Sequence, residues 1–540
     1  MTGRRFSPAL PAVLVTLCAA IPLLFVVYSS IQLPADRWSV LWSNRLPGLL
    51  WNTLSLAGLV AIGTLVLGIS SAWLVARRNF PGRRLAVWLM VLPLAIPSYV
   101  FAHIYTELFE PDGWLGSAWQ TVFADVIAIP DIYSMGGAAL VLTLGGFSYV
   151  YLLVRASLLY SSRTLEEAAR MQGASPTEVF WRVNLPLLRP AIAAGLAVVV
   201  LHVLSDFGAV SMLRVQTFTL SIYLQMSGRF DYQSAAGLSL VLVLLSLTFL
   251  VVERYFRRRQ RYYSSGVLHS HVELQQASLR ETLLVWAWLG LITLFALLLP
   301  LAWMLTWTWH AIEHHMLDAV FWGYAGNSLL VSGLAATLAL LAALPVALLH
   351  ARRHSLLSHT CVQLASVGFV LPGPVIALGF LTFVLAWVSP LYGGLALLVM
   401  ALAFRFLPLS IQSQEAALQQ LTPAIEQAGR MLGAGPLENF RRVVLPMIQG
   451  GMATAWVLVF IETLKELPAT LLLRPTGFDT LPVRIWIEAS EEMLELAAPA
   501  ALMLVLGALP AVWIMLRGEL HMHRRKQKTK QPEQVMPVPA

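Results

Sequence analysis

Apolar residues are concentrated in twelve separate stretches, each about as long as a membrane-spanning helix. A helix that crosses a bilayer needs about 20 predominantly apolar residues. The stretches cover roughly residues 10–31, 51–76, 85–106, 137–159, 190–213, 235–253, 282–307, 327–350, 361–387, 391–411, 447–473 and 496–516. The pattern predicts an all-α, polytopic membrane protein of about twelve transmembrane helices whose immediate partner is the lipid bilayer.

The composition agrees with this pattern. Hydrophobic residues make up 58% of the 540 residues and charged residues 12%, with a mean hydropathy of +0.71. A soluble domain has too little interior to hide that much apolar surface. The first stretch follows Arg4 and Arg5 in the manner of a signal peptide, but it is long and no small-x-small cleavage site closes it. We therefore expect a retained helix.

The basic residues indicate an orientation. Of the 36 Lys and Arg, 29 are assigned to the side of the N-terminus, a number that includes Arg155 and Arg405 in the adjacent halves of their apolar stretches; 6 are assigned to the other side, and Lys465 is assigned to a span. Cytoplasmic loops are enriched in Lys and Arg. This asymmetry predicts an inner-membrane protein with both termini in the cytoplasm. It also accounts for the formal net charge of +8 without a nucleic-acid partner.

An internal repeat divides the chain into two halves. Glu166 to Pro186 and Glu426 to Pro446 are identical at 13 of 21 positions at a constant offset of 260 residues. Weaker echoes pair Trp51-Asn52-Thr53 with Gly326-Asn327-Ser328. Such self-similarity indicates duplication. We predict a first six-helix repeat over 1–260, a basic linker over 261–281, a second six-helix repeat over 282–518 and a cytoplasmic tail over 519–540.

Each repeated segment is predicted to form two short helices joined at an elbow on the cytoplasmic side. In the first copy Thr164 and Glu167 fit a capping box, and Gly173 suits the left-handed residue that ends a helix. Ser175 then caps the next helix, with Glu178 at its third position. Pro186 is expected to close the unit before the chain re-enters the membrane. The second copy, ending at Pro446, repeats this plan.

These segments resemble the EAA loop of ABC importer permeases. The residues that carry the resemblance are Glu167-Ala168-Ala169, Gly173, Val183 and Leu185-Pro186 in the first copy, and Ala428, Gly433, Val443 and Leu445-Pro446 in the second. The second copy departs from the pattern at Gln427 and Gly429, and Glu426 is one residue earlier than the expected carboxylate. The resemblance implies that both loops, including Glu166, contact an ATPase, with strengths that need not be equal.

Three further segments resemble the ferric-iron type of fused two-repeat permease, which has a type I importer fold. They are Pro93 to Tyr99, Asp206 to Val210, and Lys465 to Thr470 with its continuation to Thr480. Permeases for thiamine, phosphonates and sulfate are similar in these segments and remain alternatives. The resemblance implies two copies of a separate ATPase subunit, which bind the ATP, and a periplasmic or surface substrate-binding protein.

The chain lacks the sequence of an ATP-binding loop. Its four lysines are Lys465, Lys526, Lys528 and Lys530, and none follows a glycine, so the phosphate-binding motif G-x-x-x-x-G-K-[ST] is missing. No pairing of a nucleophile with a base and no metal-protease spacing is present either. We expect a transport subunit that is not an enzyme and binds no cofactor of its own.

Ionisable residues inside predicted spans are costly and are candidates for the translocation pathway. Asp206 and Glu466 are 260 residues apart and therefore equivalent in the two halves. One hypothesis is a cation path; the alternative is structural, with Lys465 pairing with Glu462 and with a carboxylate of the other half. His202 lies one turn before Asp206 and is a packing residue or, less simply, a metal ligand.

Two tyrosines in the third span have the chemistry of ferric ligands. Tyr99 and Tyr105 carry hard phenolate oxygens, but an interfacial aromatic belt also explains them.

The rival class for the whole chain is an ion-gradient-driven secondary transporter of twelve helices. In that case the membrane carboxylates would be the coupling sites, and the duplicated elbow would have no explanation.

Overall fold

The computed structural model describes residues 8–123, 126–160, 164–258, 275–352, 355–419, 421–491, 493, 495–510 and 513. The predicted tail and most of the predicted linker lie outside these residues. The side chains of Thr164, Glu167 and Glu426 also lie outside the described part.

The first half is a series of helices that runs repeatedly across the molecule. They are α1 Ala9–Ile31, α2 Ala35–Asn44, α3 Leu46–Arg77, α4 Arg83–Leu89, α5 Ser98–Phe109, α6 Trp114–Phe123, α7 Met135–Tyr160, α8 Thr164–Met171, α9 Pro176–Val179, α10 Leu185–Ser205, α11 Gly208–Met212, α12 Phe218–Tyr223 and α13 Tyr232–Arg258. A 3-10 turn covers Leu92–Ala95, and π-helical turns cover Phe180–Asn184 and Leu224–Gly228.

The second half repeats this order. Its helices are α14 Leu279–Thr293, α15 Leu299–Glu313, α16 Ala319–Arg352, α17 Leu356–Ala365, α18 Gly373–Trp387, α19 Leu395–Gln419, α20 Pro423–Met431, α21 Pro436–Asn439, α22 Leu445–Leu464, α23 Pro468–Leu473, α24 Leu481–Ser490 and α25 Glu495–Pro510. Its π-helical turns are Leu294–Leu298 and Phe440–Val444, and its 3-10 turns are Val367–Phe369 and Ser389–Leu391. A two-residue parallel ladder pairs β1 Arg78–Asn79 with β2 Gln275–Gln276.

Within the described residues, nine helices are long and apolar enough to cross a membrane. A tenth span results if the bent pair Arg83–Ala95 and Ser98–Phe123, which meets at 95°, counts as one. The remaining two predicted spans correspond to the shorter apolar helices α18 and α25. The all-α fold with two homologous halves is therefore confirmed.

Four predicted spans are not continuous helices, and this corrects the sequence interpretation. The third and ninth spans break before Ser98 and Gly373, where Pro97 and Pro372 adopt extended backbone. The fifth and eleventh spans end at Ser205 and Leu464, well before the predicted limits. At the third and ninth breaks a proline offers no N–H to a preceding turn and disfavours helical geometry in the residue before it, so the chain bends where apolar composition alone suggested a single helix.

The first helix of each half packs against the other half. Buried Ala12 and Ala19 of α1 share a cluster with Val346 and Cys361 of the second half. In the reverse direction, Leu289 of α14 joins the core cluster of the first half. The Trp286 indole also donates to the Pro81 carbonyl oxygen at 2.9 Å. The two halves are thus interlocked rather than merely adjacent.

Candidate coupling elbows and the cavity between the halves

Both elbows have the backbone that their sequences predict. Gly173 and Gly433 lie in the left-handed region at φ +84° and +86°. The Gly173 and Ala174 amides donate to the Arg170 and Ala169 carbonyls at 2.9 and 3.1 Å, which closes the end of α8. In the second copy the Ala434 amide donates to the Gly429 carbonyl at 3.2 Å. The predicted left-handed helix ends are confirmed.

The second limb of the first elbow begins with a capping box. The Glu178 amide donates to the Ser175 hydroxyl oxygen at 3.3 Å, and the Ser175 amide donates back to the Glu178 carboxylate at 3.0 Å. The hydrogen bonds that Ser175 donates lower the pKa of the exposed Glu178 carboxyl below its usual value. The predicted cap of α9 is confirmed.

Pro186 and Pro446 do not close the elbows, contrary to expectation. The helix runs on from α9 into α10, and from α21 into α22, through the π-helical turns Phe180–Asn184 and Phe440–Val444. A π-helical turn shifts the hydrogen-bonding register by one residue and so accommodates a proline, which has no N–H to donate. Each elbow is therefore joined stiffly to the long helix that follows it.

The surface of the elbows is unevenly exposed. Ala168 and Ala169 are half-buried, whereas Gly173, Gln427, Ala428 and Gly433 are exposed. An alanine Cβ built at Gly173 or Gly433 would have no neighbour within 4 Å in the described part of the chain. The Glu166 carboxylate, in contrast, is buried and pairs with the Arg77 guanidinium of α3 at 2.5 Å. It therefore faces α3 and is not part of the exposed surface that an ATPase could contact.

A cavity of about 150 Å³ lies between the halves, where the broken spans meet. Every predicted pathway residue lines it: Tyr99, His202, Asp206, Glu462, Lys465 and Glu466. Three carboxylates and the two fixed cations Lys465 and Arg405 face this cavity, and the formal balance with a neutral His202 is one negative charge. In the described part of the chain, no group of three or more His, Cys, Asp or Glu is arranged to hold a metal ion.

Asp206 caps the helix that follows the break in the fifth span. Its Oδ1 accepts hydrogen bonds from the Ala209 and Val210 amides at 3.0 and 3.2 Å. Its Oδ2 accepts a hydrogen bond from the Ser98 hydroxyl of α5. A carboxylate at a helix N-terminus satisfies amides that have no partner within the helix. Asp206 therefore connects the start of α11, after the break in the fifth span, to the start of α5, after the break in the third span.

Glu466 has the same position and the same task in the second half. Its carboxylate accepts hydrogen bonds from the Ala469 and Thr470 amides, both at 3.0 Å. In addition, the Arg405 guanidinium of α19 donates to Glu466 Oε1 at 2.6 Å. The side chain of Glu466 is 2% exposed. The predicted equivalence of Asp206 and Glu466 thus extends to their hydrogen bonds with the backbone.

The two carboxylates differ in their second partner. Ser98 and Gly373 are equivalent, since each follows the proline of its break at an offset of 275 residues (373 − 98), and Arg405 is equivalent to Gly145 at the offset of 260 (405 − 145). A Cβ on Gly373 would collide with Arg405. The second half has therefore exchanged a hydroxyl for a guanidinium, and the missing side chain at Gly373 makes room for it.

The contacts of Lys465 agree only in part with the structural alternative, in which it pairs with two carboxylates. Its ammonium group donates to Glu462 at 3.1 Å, one helical turn away, as predicted. The expected second pair with a carboxylate of the other half is wrong for the described residues, because the Asp206 carboxylate is bonded to Ser98 and to two backbone amides and not to Lys465. The Lys465 carbonyl instead accepts a hydrogen bond from the Tyr99 hydroxyl at 3.4 Å.

The tyrosines do not form an interfacial belt. Tyr99 and Tyr105 are 3% and 0% exposed, and the Tyr105 hydroxyl donates to the Phe295 carbonyl oxygen of the second half at 2.6 Å. The His202 ring lies beside the Tyr149 ring at an angle of 52°, with 6.0 Å between ring centroids. The tyrosines thus bridge the halves through backbone carbonyls and occupy the interior.

Arg405 and the role of Arg77 are not apparent from the sequence patterns. Arg405 was assigned to the cytoplasmic side, although it lies inside the apolar stretch 391–411, and the criterion that singled out Lys465 applies to it equally. Arg77 was counted only as a cytoplasmic charge, yet it is 4% exposed and holds Glu166. No local pattern distinguishes it from its neighbour Arg78.

Two interlocked apolar halves, each with a helical elbow, define a polytopic transport subunit built from a duplicated unit. The chain belongs to the family of binding-protein-dependent transport system inner membrane components, which matches residues 64–262 and 335–518. This membership decides against the ion-gradient alternative. The protein is accordingly an ABC-importer permease, resident in the inner membrane as a multi-pass chain.

Three relatives illustrate the range of the family. The chain is 32% identical over 500 residues to the Fe(3+)-transport system permease protein FbpB 2 of Haemophilus influenzae, covering 92% of this chain and 94% of that protein. It is 23% identical to the ferric transport system permease protein FbpB of Actinobacillus pleuropneumoniae, covering 88% and 72%. It is 30% identical to the sulfate transport system permease protein CysT of Escherichia coli, covering 46% and 91%.

Proposed function

We propose that this permease imports ferric iron, using ATP that is hydrolysed by two copies of a separate ATPase subunit. The single observation that carries the substrate is the similarity to a ferric permease over almost the full length of both chains. The similarity to a sulfate permease covers less than half of this chain. A substrate-binding protein delivers the iron to the outer face, consistent with the family.

The charge of the cavity supports a cation over sulfate. Asp206, Glu462 and Glu466 face Lys465 and Arg405, which leaves one carboxylate in excess. In a low-dielectric setting even one excess charge matters, because the interaction of two unit charges about 4 Å apart amounts to about 4 kcal/mol at an effective dielectric of 20. A divalent anion would be repelled from this level of the pathway, and a cation attracted.

The elbows are proposed as the two ATPase docking sites. The exposed residues of the repeated motif are Gly173 in one copy and Gln427, Ala428 and Gly433 in the other. The stiff connections through the π-helical turns to α10 and α22 would carry a displacement of each elbow into its half. Closure of the ATPase dimer then rocks the halves and opens the cavity to alternate sides. ATP is bound by the partner subunit.

This arrangement requires both elbows to face the cytoplasm. The excess of Lys and Arg in the loops on the side of the elbows supports cytoplasmic N- and C-termini. Fusions of a periplasmic-only reporter enzyme after residues 258 and 313 test the orientation. We expect activity only from the fusion after residue 313.

Uptake by liposomes tests the function. The permease is reconstituted with its cognate ATPase and binding protein, and accumulation of labelled ferric iron is compared with that of sulfate, thiamine and phosphonate. We expect ATP-dependent accumulation of iron alone. Accumulation of another substrate would refute the proposed iron specificity, and uptake that persists without the ATPase would refute the proposed coupling.

A further inference from the structure

The first elbow is attached to the cytoplasmic end of α3 at two points. The Arg77 guanidinium pairs with Glu166 of α8 at 2.5 Å, with side chains that are 5% and 9% exposed. One turn earlier in α3, the Trp73 ring contacts the ring of Phe180 edge-on, with 5.1 Å between ring centroids. Phe180 begins the π-helical turn that follows α9. The Arg77 guanidinium also lies over the Trp73 ring, 5.6 Å from its centroid. Both limbs of the elbow therefore contact one helical turn of α3.

A buried ion pair of this kind is a poor device for stability alone. The cost of removing two charges from water offsets their attraction, and well-packed apolar residues of similar volume often stabilise as much. What the pair does supply is a fixed geometry, because the planar guanidinium meets a carboxylate in a defined orientation. A rigid, directional joint is what transmission of movement from α8 to α3 requires.

The second half has an arginine at the equivalent place. Arg352 ends α16 as Arg77 ends α3, at the offset of 275 residues (352 − 77) that also relates Asn327 to Asn52. Its guanidinium donates to the Leu421 carbonyl, just before α20, at 3.3 Å. An arginine thus links the second transmembrane helix to the elbow region in each half.

Helix α3 also contacts the other half and the segment before α12. Its 32 residues span about 48 Å at 1.5 Å per residue. On the way, Ser70 accepts a hydrogen bond from the Trp288 indole of α14 at 3.0 Å. At its far end, Asn52 donates to the Gln216 carbonyl at 3.0 Å, close to the segment after Asp206. A displaced elbow would therefore move contacts on both sides of the inter-half boundary.

We propose that Arg77 is the positioning residue through which the first elbow moves α3. The inference rests on the proposed docking of an ATPase at the elbow and names the joint inside the permease. Arg77 is not among the residues that line the cavity. Without the Arg77–Glu166 ion pair the ATPase still docks and hydrolyses ATP. The movement of α8 is then transmitted incompletely to α3, and fewer substrate ions enter per ATP hydrolysed.

The test measures ATP hydrolysis and ferric uptake in the same reconstituted complex. For Arg77→Met and Glu166→Gln we expect ATPase co-purification and ATP turnover near the wild-type values, with the ratio of import to hydrolysis reduced about tenfold, a factor typical of coupling between sites. The charge-swapped double variant Arg77→Glu/Glu166→Arg is expected to recover most of that ratio. Arg77→Glu alone is not.

Arg78→Met provides the matched control. Arg78 is adjacent, 34% exposed, and forms a surface pair with Glu281 at 3.3 Å, so its loss leaves the ratio unchanged. Wild-type coupling in both Arg77→Met and Glu166→Gln would overturn the inference, as would a swapped variant that folds but couples no better than Arg77→Glu. If Arg77→Met fails to assemble, Glu166→Gln and the swap decide. Failure of the wild-type complex to couple refutes the proposed function instead.

Discussion

The exchange of a hydroxyl for a guanidinium between the two halves can be reversed by mutation. Arg405→Gly removes the cation from a Glu466 carboxylate that is 2% exposed, and breaking one partner of a buried ion pair costs about 3–5 kcal/mol. Gly373→Ser places a Cβ against Arg405 and Pro468. Overpacking of this kind costs about 1–3 kcal/mol. The sum expected for independent effects is about 4–8 kcal/mol.

The double variant Gly373→Ser/Arg405→Gly rebuilds the arrangement of the first half. Without Arg405 the introduced Cβ loses its closest contact, and small shifts of Pro468 and Glu466 admit it. The serine hydroxyl can then donate to Glu466 as Ser98 donates to Asp206. A hydrogen bond to a charged group contributes about 1.5–3 kcal/mol. We expect the double variant to lose only about 2–4 kcal/mol, which corresponds to a favourable interaction energy of about 2–4 kcal/mol between the two substitutions.

Equilibrium unfolding in mixed micelles, followed by tryptophan fluorescence, measures the free energy of unfolding of all four proteins in this cycle. Ser98→Gly is the matched measurement of the hydroxyl–carboxylate bond in the first half, with an expected loss of about 1.5–3 kcal/mol. Additive effects of Gly373→Ser and Arg405→Gly would refute the reasoning, since they would mean that serine cannot replace arginine as the partner of Glu466.

Three further predictions concern the elbows and the first turns of α16. Gly173→Ala should reduce ATPase co-purification more than Gly173→Asn, because the left-handed backbone costs alanine about 1 kcal/mol or more and asparagine less. The opposite order would mean that the size of the side chain against the ATPase, and not the backbone conformation, determines binding. Asn327→Ala should lower the free energy of unfolding by about 1 kcal/mol through loss of its 2.9 Å bond to the Asp479 carbonyl, as read by the same micelle assay. Because the pKa of Glu178 is lowered, its capping bonds stabilise α9 fully above the usual pKa of a glutamate, and this stabilisation is lost as the pH falls through the lowered pKa. The rate of amide exchange in α9 should therefore rise between these two pKa values as the pH falls. Glu178→Gln should remove this pH dependence of the exchange rate.

Local features of the sequence predicted their structures well. The helix ends at Gly173 and Gly433 and the Ser175–Glu178 cap depend on residues within one or two turns of each other. Apolar length located the long spans for the same reason. The breaks in the third, fifth, ninth and eleventh spans were harder to predict. An apolar stretch with a proline or a carboxylate inside it has the same average hydropathy whether or not the helix continues.

The pathway residues show where local information ends. Asp206 and Glu466 were identified from their position in apolar spans and from the repeat offset, and the structure brings them to one cavity. Their use as caps depends on the short helices that follow them, and Arg405 contacts Glu466 across 61 residues of chain. Arg77 and Glu166 are 89 residues apart, and only their burial distinguishes them from surface charges.

The sequence by itself determined that the chain crosses the membrane many times, that it is a duplicated permease and that each half carries an elbow, because apolar length, self-similarity and capping are properties of contiguous residues. The tertiary structure alone decided that α1 and α14 pack on the opposite halves, that Gly373 makes room for Arg405, and that the first elbow is joined to α3 by Arg77. These features depend on which buried surfaces meet, and a buried charge selects its partner by position in space rather than along the chain.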